Sequence, residues 1–281
     1  MHPELTIPLF GAAIQAYTLF TVLGALAFTT AALPLLKRAG VRPLSALVLM
    51  VLMAAAFLVG ARLWNYAINP AAYGSTLMWY SFRLAGFSMY GGLLGSALVL
   101  IFWTWFGRTR ILPLLDALTL PSAIAFALAR VGCFLNGCCY GVPTSSIFGV
   151  VFPLRGGAQE TLDSMLSMVG MSLATARYPT QLFELALALT GLVPALMIGN
   201  RMKGGSVFLI YGIWFSAFRL AILPLRSLPY DDLVVNTVYP ALYTTLIVIG
   251  IAVLIFVNRQ KGMQRQKGTY LLSVEGQASK P

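Results

Sequence analysis

The sequence predicts an all-α integral membrane protein with about seven transmembrane helices and its N-terminus outside. Three observations predict it. Of 281 residues, 59% are hydrophobic and only 10% charged, whereas a soluble domain carries about a quarter charged residues. Seven apolar runs, about 15–36, 44–66, 89–106, 113–132, 180–199, 205–226 and 237–257, each approach the roughly 20 residues that cross a bilayer as helix. The basic residues concentrate in alternate loops, which orients the chain.

The spans follow in order. No Lys or Arg precedes the first apolar run, so it lacks the basic start of a secretory signal and reads as a retained membrane helix. Lys37, Arg38 and Arg42 follow span one, Arg108 and Arg110 follow span three, Arg201 and Lys203 follow span five, and Arg259, Lys261, Arg265 and Lys267 open the tail. The other loops hold fewer basic residues (Arg83, Arg155, Arg177) and most of the acids: Glu4, Glu160, Asp163, Asp231 and Asp232. The tail is therefore inside. Residues 1–257 form one transmembrane domain and 258–281 a polar, basic cytoplasmic tail, unordered towards its end. The stretch 142–179 is a small extracytoplasmic segment between helices four and five, with strand-like composition at 147–152 and a short amphipathic helix over 161–169. The net charge of +11 is spread over loops and tail. It marks topology and attraction to anionic lipid in the bilayer, not nucleic-acid binding.

This orientation brings scattered residues to one depth. Tyr17, Arg62, Tyr90, Arg130, Glu184, Arg219 and Arg226 fall in or beside the outer half of six different spans, with Asp116 the exception. An ionisable residue inside a membrane is expensive and marks a functional site by default. Arg219 and Arg226 are two helical turns apart, so an unbroken helix stacks them on one face roughly 10 Å apart, with Pro224 between them able to kink or end it. Guanidinium groups so placed suit a phosphate at headgroup depth. Arg226 alone also fits a snorkelling interfacial residue. Glu184, soon after Pro179 at the start of span five, reads as a salt-bridge partner orienting an arginine. Gly91, Gly92 and Gly95 at the mouth of span three allow close approach by a lipid chain or by another backbone. Charges confined to one half, with no acid near the midplane, argue against a transport path.

All three cysteines follow Arg130 within nine residues. Cys133, Cys138 and Cys139 lack paired C-x-x-C spacing and the only histidine is His2, so no metal site is expected. They read as small buried thiols or as reactive ones beside Arg130.

The run Ala129-Arg130-Val-Gly132-x-Phe134-x-Asn136-Gly137-x-x-Tyr140-Gly141-x-Pro-Thr144 resembles the signature of prolipoprotein diacylglyceryl transferases. Gly60-Ala-Arg62, Ser88-Met-Tyr90-Gly91-Gly92-Leu-x-Gly95, Tyr178-Pro-x-Gln181-Leu-Phe-Glu184, Tyr211-Gly212 and Phe218-Arg219 extend the resemblance along most of the chain. It implies an enzyme of the bacterial cytoplasmic (inner) membrane that needs no cofactor. The enzyme moves a diacylglyceryl group from phosphatidylglycerol to the lipobox cysteine in the signal peptide of a prolipoprotein and releases glycerol phosphate. The resemblance makes Arg130 and Arg219 essential and Arg226, Gly141 and Tyr17 functional; with the reading above, the expected catalytic residues are Arg130, Arg219 and Tyr90, and the expected substrate-binding residues are Tyr17, Arg62, Gly91, Gly92, Asn136, Gly141, Glu184 and Arg226. Tyr90 stands where the family carries a histidine, Cys133 and Cys138 where it carries Asn and Glu, and Leu223 where it carries a Glu between the last two arginines. These departures touch thiol activation and leave the phosphate half whole, which describes a divergent member. The alternative is a non-catalytic or differently specific phospholipid-binding protein that keeps the headgroup pocket.

Overall fold

The computed structural model describes residues 4–7, 12–68, 70, 73, 87–152, 175–228 and 230–278. The expected helix over 161–169 lies outside them. A short hairpin, β1 (Glu4–Ile7) and β2 (Ala12–Gln15), pairs antiparallel and leads into α1 (Ala16–Arg38). Then come α2 (Pro43–Ile68), α3 (Met89–Phe106) and α4 (Ile111–Asn136). A second two-stranded piece, β3 (Val150–Val151) with β4 (Ala176–Arg177), precedes α5 (Thr180–Thr190) and α6 (Leu192–Gly199). The chain closes with α7 (Ser206–Ile222) and α8 (Tyr239–Ala278). Seven of these helical segments, counting α5 and α6 as one, are long and apolar enough to cross a membrane. Their outward faces carry side chains such as Val51, Phe102, Trp105, Val248 and Phe256, as contact with lipid tails requires.

Small residues decide which helices touch. On α2 and α3, Gly60 faces Gly91, and Gly95 faces Ala56, with no room for a Cβ between the backbones. Ser96 Oγ donates across this seam to the Met53 carbonyl at 3.0 Å, so the two helices pack as one slab. On α1 and α4, a Cβ on Gly24 would lie 3.1 Å from the Ala125 carbonyl oxygen, and one on Gly132 2.8 Å from Phe20 Cβ. At the end of the bundle away from Arg130, Leu36, Ala46, Leu49, Leu100 and Leu114 form the apolar core.

Four boundaries differ from the sequence expectations, each for a local reason. Span four continues to Asn136, so Arg130 lies inside α4 rather than at its end. Gly137 then stops the helix in the left-handed conformation, φ 68°, the usual helix terminator. Span five covers 180–199 as expected but is broken into two helices at Gly191, which keeps helical dihedrals, φ −67°, ψ −23°, against the Trp214 ring; the Pro194 ring cannot coexist with a helical carbonyl four residues back, at Thr190. Arg219 and Arg226 do not share a helix face: Pro224 ends α7, a 3-10 turn spans Leu223–Leu225, and Arg226 is extended at φ −91°, ψ 136°. Finally, α8 continues to Ala278 where an unordered end was expected. Extending a formed helix is far easier than starting one.

Asp116, the charged residue outside the outer cluster, has a structural role. Its carboxylate accepts from Gly205 N at 2.5 Å and Phe208 N at 2.9 Å. It thereby caps α7 from another helix and meets its positive end. Asn258 braces the same corner, accepting from Lys203 N at 3.2 Å and donating to Ser206 Oγ at 3.2 Å.

Candidate functional site: a buried arginine cluster

The last turns of α4, the first turns of α5 and the end of α7 meet at one end of the bundle, around Glu184. Its carboxylate is 2% exposed and serves three guanidinium groups. Arg130 Nε lies 2.6 Å from Oε2. Arg219 Nη1 pairs with Oε1, and Arg226 Nη1 reaches the same oxygen at 3.3 Å. Glu184 thus does what the sequence suggested for one arginine, but for three. Three positive charges against one negative leave a surplus of two.

The surplus is not evenly sealed. Arg219 is 4% exposed, whereas Arg130 and Arg226 keep 13% and 14%. The inner guanidinium is locked and the outer two stay reachable. Rings support them: Arg130 lies over Phe126 at 4.7 Å and Arg219 over Phe215 at 5.8 Å.

Tyr90, the second residue of α3, belongs to this cluster: Arg219 Nε donates to its hydroxyl oxygen at 3.3 Å. Behind it stands an aromatic wall that sequence reasoning missed. Tyr243 and Tyr239 lie 5.7 and 6.0 Å from Tyr90, and Tyr230 lies 5.9 Å from Tyr239. Tyr239 and Tyr243 are four apart on α8 and stack on one face; that spacing was the available signal.

Gly141 anchors the signature loop. Its N–H donates to the Tyr178 carbonyl at 2.8 Å, and Val142 N to the Leu225 carbonyl at 3.0 Å. Gly141 and Arg226 thereby form a β-bridge. A side chain at 141 would meet the Leu225 carbonyl, Thr180 Cγ2 and Tyr178 Cβ. Two buried side chains of α5 complete the anchor. Thr180 Oγ1 donates to the Cys139 carbonyl at 2.9 Å and Gln181 Nε2 to the Cys138 carbonyl at 2.7 Å. The Tyr178-Pro-x-Gln181-x-x-Glu184 run therefore holds the loop with one face and the arginines with the next turn.

The remaining expected residues sit in other surroundings. Arg62 is buried on α2 with its guanidinium over Tyr73 at 5.1 Å and Phe87 at 5.3 Å. Gly91 and Gly92 are buried against α2, facing Gly60 with Trp64 and Phe57 respectively, so the approaching partner is a neighbouring helix. Tyr17 lies at the start of α1 alongside Gly132. Asn136 ends α4, directly before the Gly137 turn.

Seven helices long and apolar enough to cross a membrane, with a buried cluster of guanidinium groups of surplus positive charge at one end, define the class: a multi-pass membrane protein. The comparison with known proteins makes this specific: the family model for prolipoprotein diacylglyceryl transferase matches residues 5–260, and the chain belongs to that family. A Clostridium perfringens (strain 13 / Type A) protein named phosphatidylglycerol–prolipoprotein diacylglyceryl transferase 2 is 31% identical over 179 residues, covering 63% of this chain and 64% of that protein. Proteins named phosphatidylglycerol–prolipoprotein diacylglyceryl transferase from Dehalococcoides mccartyi (strain ATCC BAA-2100 / JCM 16839 / KCTC 5957 / BAV1) and Streptococcus sanguinis (strain SK36) are each 28% identical. They align over 205 and 225 residues, covering 73% and 75% of this chain and 69% and 78% of theirs. The match to the Clostridium protein thus spans just under two thirds of its length.

Proposed function

We propose that this protein transfers the diacylglyceryl group of phosphatidylglycerol to the lipobox cysteine thiol of a prolipoprotein signal peptide. The reaction takes place in the outer half of a bacterial cytoplasmic membrane. The observation that carries the reading is the charge balance at Glu184, where one carboxylate faces Arg130, Arg219 and Arg226. Phosphatidylglycerol brings one negative charge on its phosphodiester. As the substrate thiolate attacks the glyceryl carbon, a sulfur–carbon bond forms and the carbon–oxygen bond to phosphate breaks. The electron pair leaves with glycerol phosphate, which gains a second negative charge; the thiol proton is released to water. Two surplus positive charges match the product-like dianion better than the starting monoanion. They therefore favour the transition state over the ground state.

The residues divide this work by exposure. Arg130 and Arg226, still reachable, take the phosphate oxygens. Arg219 is held between Glu184 and the Tyr90 hydroxyl and supplies fixed charge from behind. Tyr90 positions Arg219, and Gly141 sets the distance between the loop and Arg226. Names carried by the family's members support the choice of donor and acceptor.

The test uses purified protein, phosphatidylglycerol and a lipobox peptide, with the peptide mass read by mass spectrometry. The wild type adds one diacylglyceryl unit and releases glycerol phosphate. Arg130→Ala and Arg219→Ala each abolish transfer while the protein still inserts and folds. Full transfer by both variants overturns the proposal.

A further inference from the structure

Three thiols that the transfer reaction does not use converge beside the arginine cluster. Cys133 is on the last turn of α4, and Cys138 and Cys139 are in the loop after it. All three are unbridged, and their Sγ atoms lie within 4.8 Å of one another. Their sequence spacing gives no sign of this, because the convergence is made by the backbone. Gly137 turns left-handed to end the helix, and Cys138 N returns to the Cys133 carbonyl at 3.1 Å. Cys139 itself takes φ 62°, a conformation that costs a non-glycine residue about 1–2 kcal/mol. Thr180 and Gln181, both fully buried, hold that shape through the carbonyls of Cys139 and Cys138.

We propose that Cys133, Cys138 and Cys139 form a trigonal binding site for one soft monovalent cation of the Cu(I) class. Size fits: three sulfurs about 2.3 Å from a shared metal stand about 4 Å apart, inside the 4.8 Å limit within which the three Sγ atoms lie. The donor set fits, because it is entirely sulfur. Hard cations take oxygen ligands, and thiolates select soft ones. Charge decides between soft monovalent and divalent ions. Arg130 Nη1 lies 4.0 Å from Cys133 Sγ, and the adjoining cluster holds two unbalanced positive charges. Three thiolates around a monovalent ion carry two negative charges and around a divalent ion one, so the positive cluster favours the monovalent ion; metal and lipid phosphate draw on the same surplus, and each weakens binding of the other. Binding releases the three thiol protons to water.

The test is an anaerobic titration of the reduced full-length protein in detergent with Cu(I) supplied from a competing chelator, in parallel with Zn²⁺. The expected result is one Cu(I) per chain with three sulfur neighbours by X-ray absorption. Bound Cu(I) also shields all three cysteines from maleimide, read as intact mass, which needs no variant. Cys139→Ser weakens binding by about tenfold or more. No copper uptake, two sulfur neighbours, undiminished uptake by the variant, or tighter binding of Zn²⁺ than of Cu(I) overturns the proposal. Because the readout is the metal, failure here leaves the transferase reading intact, and the reverse also holds.

Discussion

Replacing Glu184 by Gln removes one negative charge at nearly constant volume. In the wild type that carboxylate is the shared partner of Arg130, Arg219 and Arg226. Without it, three guanidinium groups, none more than 14% exposed, face one another in a site from which water is largely excluded. Stripping one partner from a buried ion pair costs about 3–5 kcal/mol; here one change strips three pairs, so the upper end applies. The loss depends on what else is bound, since an anion restores the missing charge. Thermal unfolding in zwitterionic micelles should show Glu184→Gln strongly destabilised. Adding phosphatidylglycerol should recover more stability in the variant than in the wild type, because a ligand that binds only the folded state stabilises in proportion to its affinity. A second substitution, Arg226→Met, removes one of the stranded charges and should return part of the loss. Wild-type stability of Glu184→Gln in the absence of anionic lipid, or indifference to that lipid, would refute the reasoning.

Three further outcomes are expected. Gly141→Ala forces a methyl group against the Leu225 carbonyl, Thr180 Cγ2 and Tyr178 Cβ; overpacking of this kind costs about 1–3 kcal/mol, seen as a lower unfolding temperature together with loss of transfer. Asp116→Ala removes two bonds to the start of α7 and should cost about 0.5–2 kcal/mol of stability while transfer by the protein that remains folded is unchanged. Tyr90→Phe deletes the hydroxyl that accepts from Arg219 Nε. A hydrogen bond to a charged group is worth about 1.5–3 kcal/mol, so transfer should slow by about 10–100-fold with the fold retained, measured with the lipobox peptide.

The sequence located the arginines in depth but not around the helix axis. Position along a span follows from residue number and the rise of the helix, which is why Arg130, Glu184, Arg219 and Tyr90 could be placed in one layer. The direction each side chain faces depends on neighbours far away in the chain. Depth along the span did not distinguish Arg219, locked against Glu184, from Arg62, which lies over Tyr73 and Phe87. Prolines moved two boundaries. Pro194 divided span five, and Pro224 turned the stretch after Arg219 out of the helix, so Arg226 arrives by a bend rather than by stacking. The cysteines were hidden for a different reason: a non-glycine residue in the left-handed region, Cys139, is set by the carbonyl contacts from Thr180 and Gln181, not by its own preference.

The bridge between Gly141 and Arg226 makes the signature loop and one anion-facing guanidinium mechanically a single part. Val142 is fastened to the Leu225 carbonyl, one residue before Arg226. A displacement of the loop therefore moves this arginine, and a displacement of Arg226 moves the loop. Under the proposed transfer reaction, peptide and lipid phosphate would each in this way feel whether the other is in place.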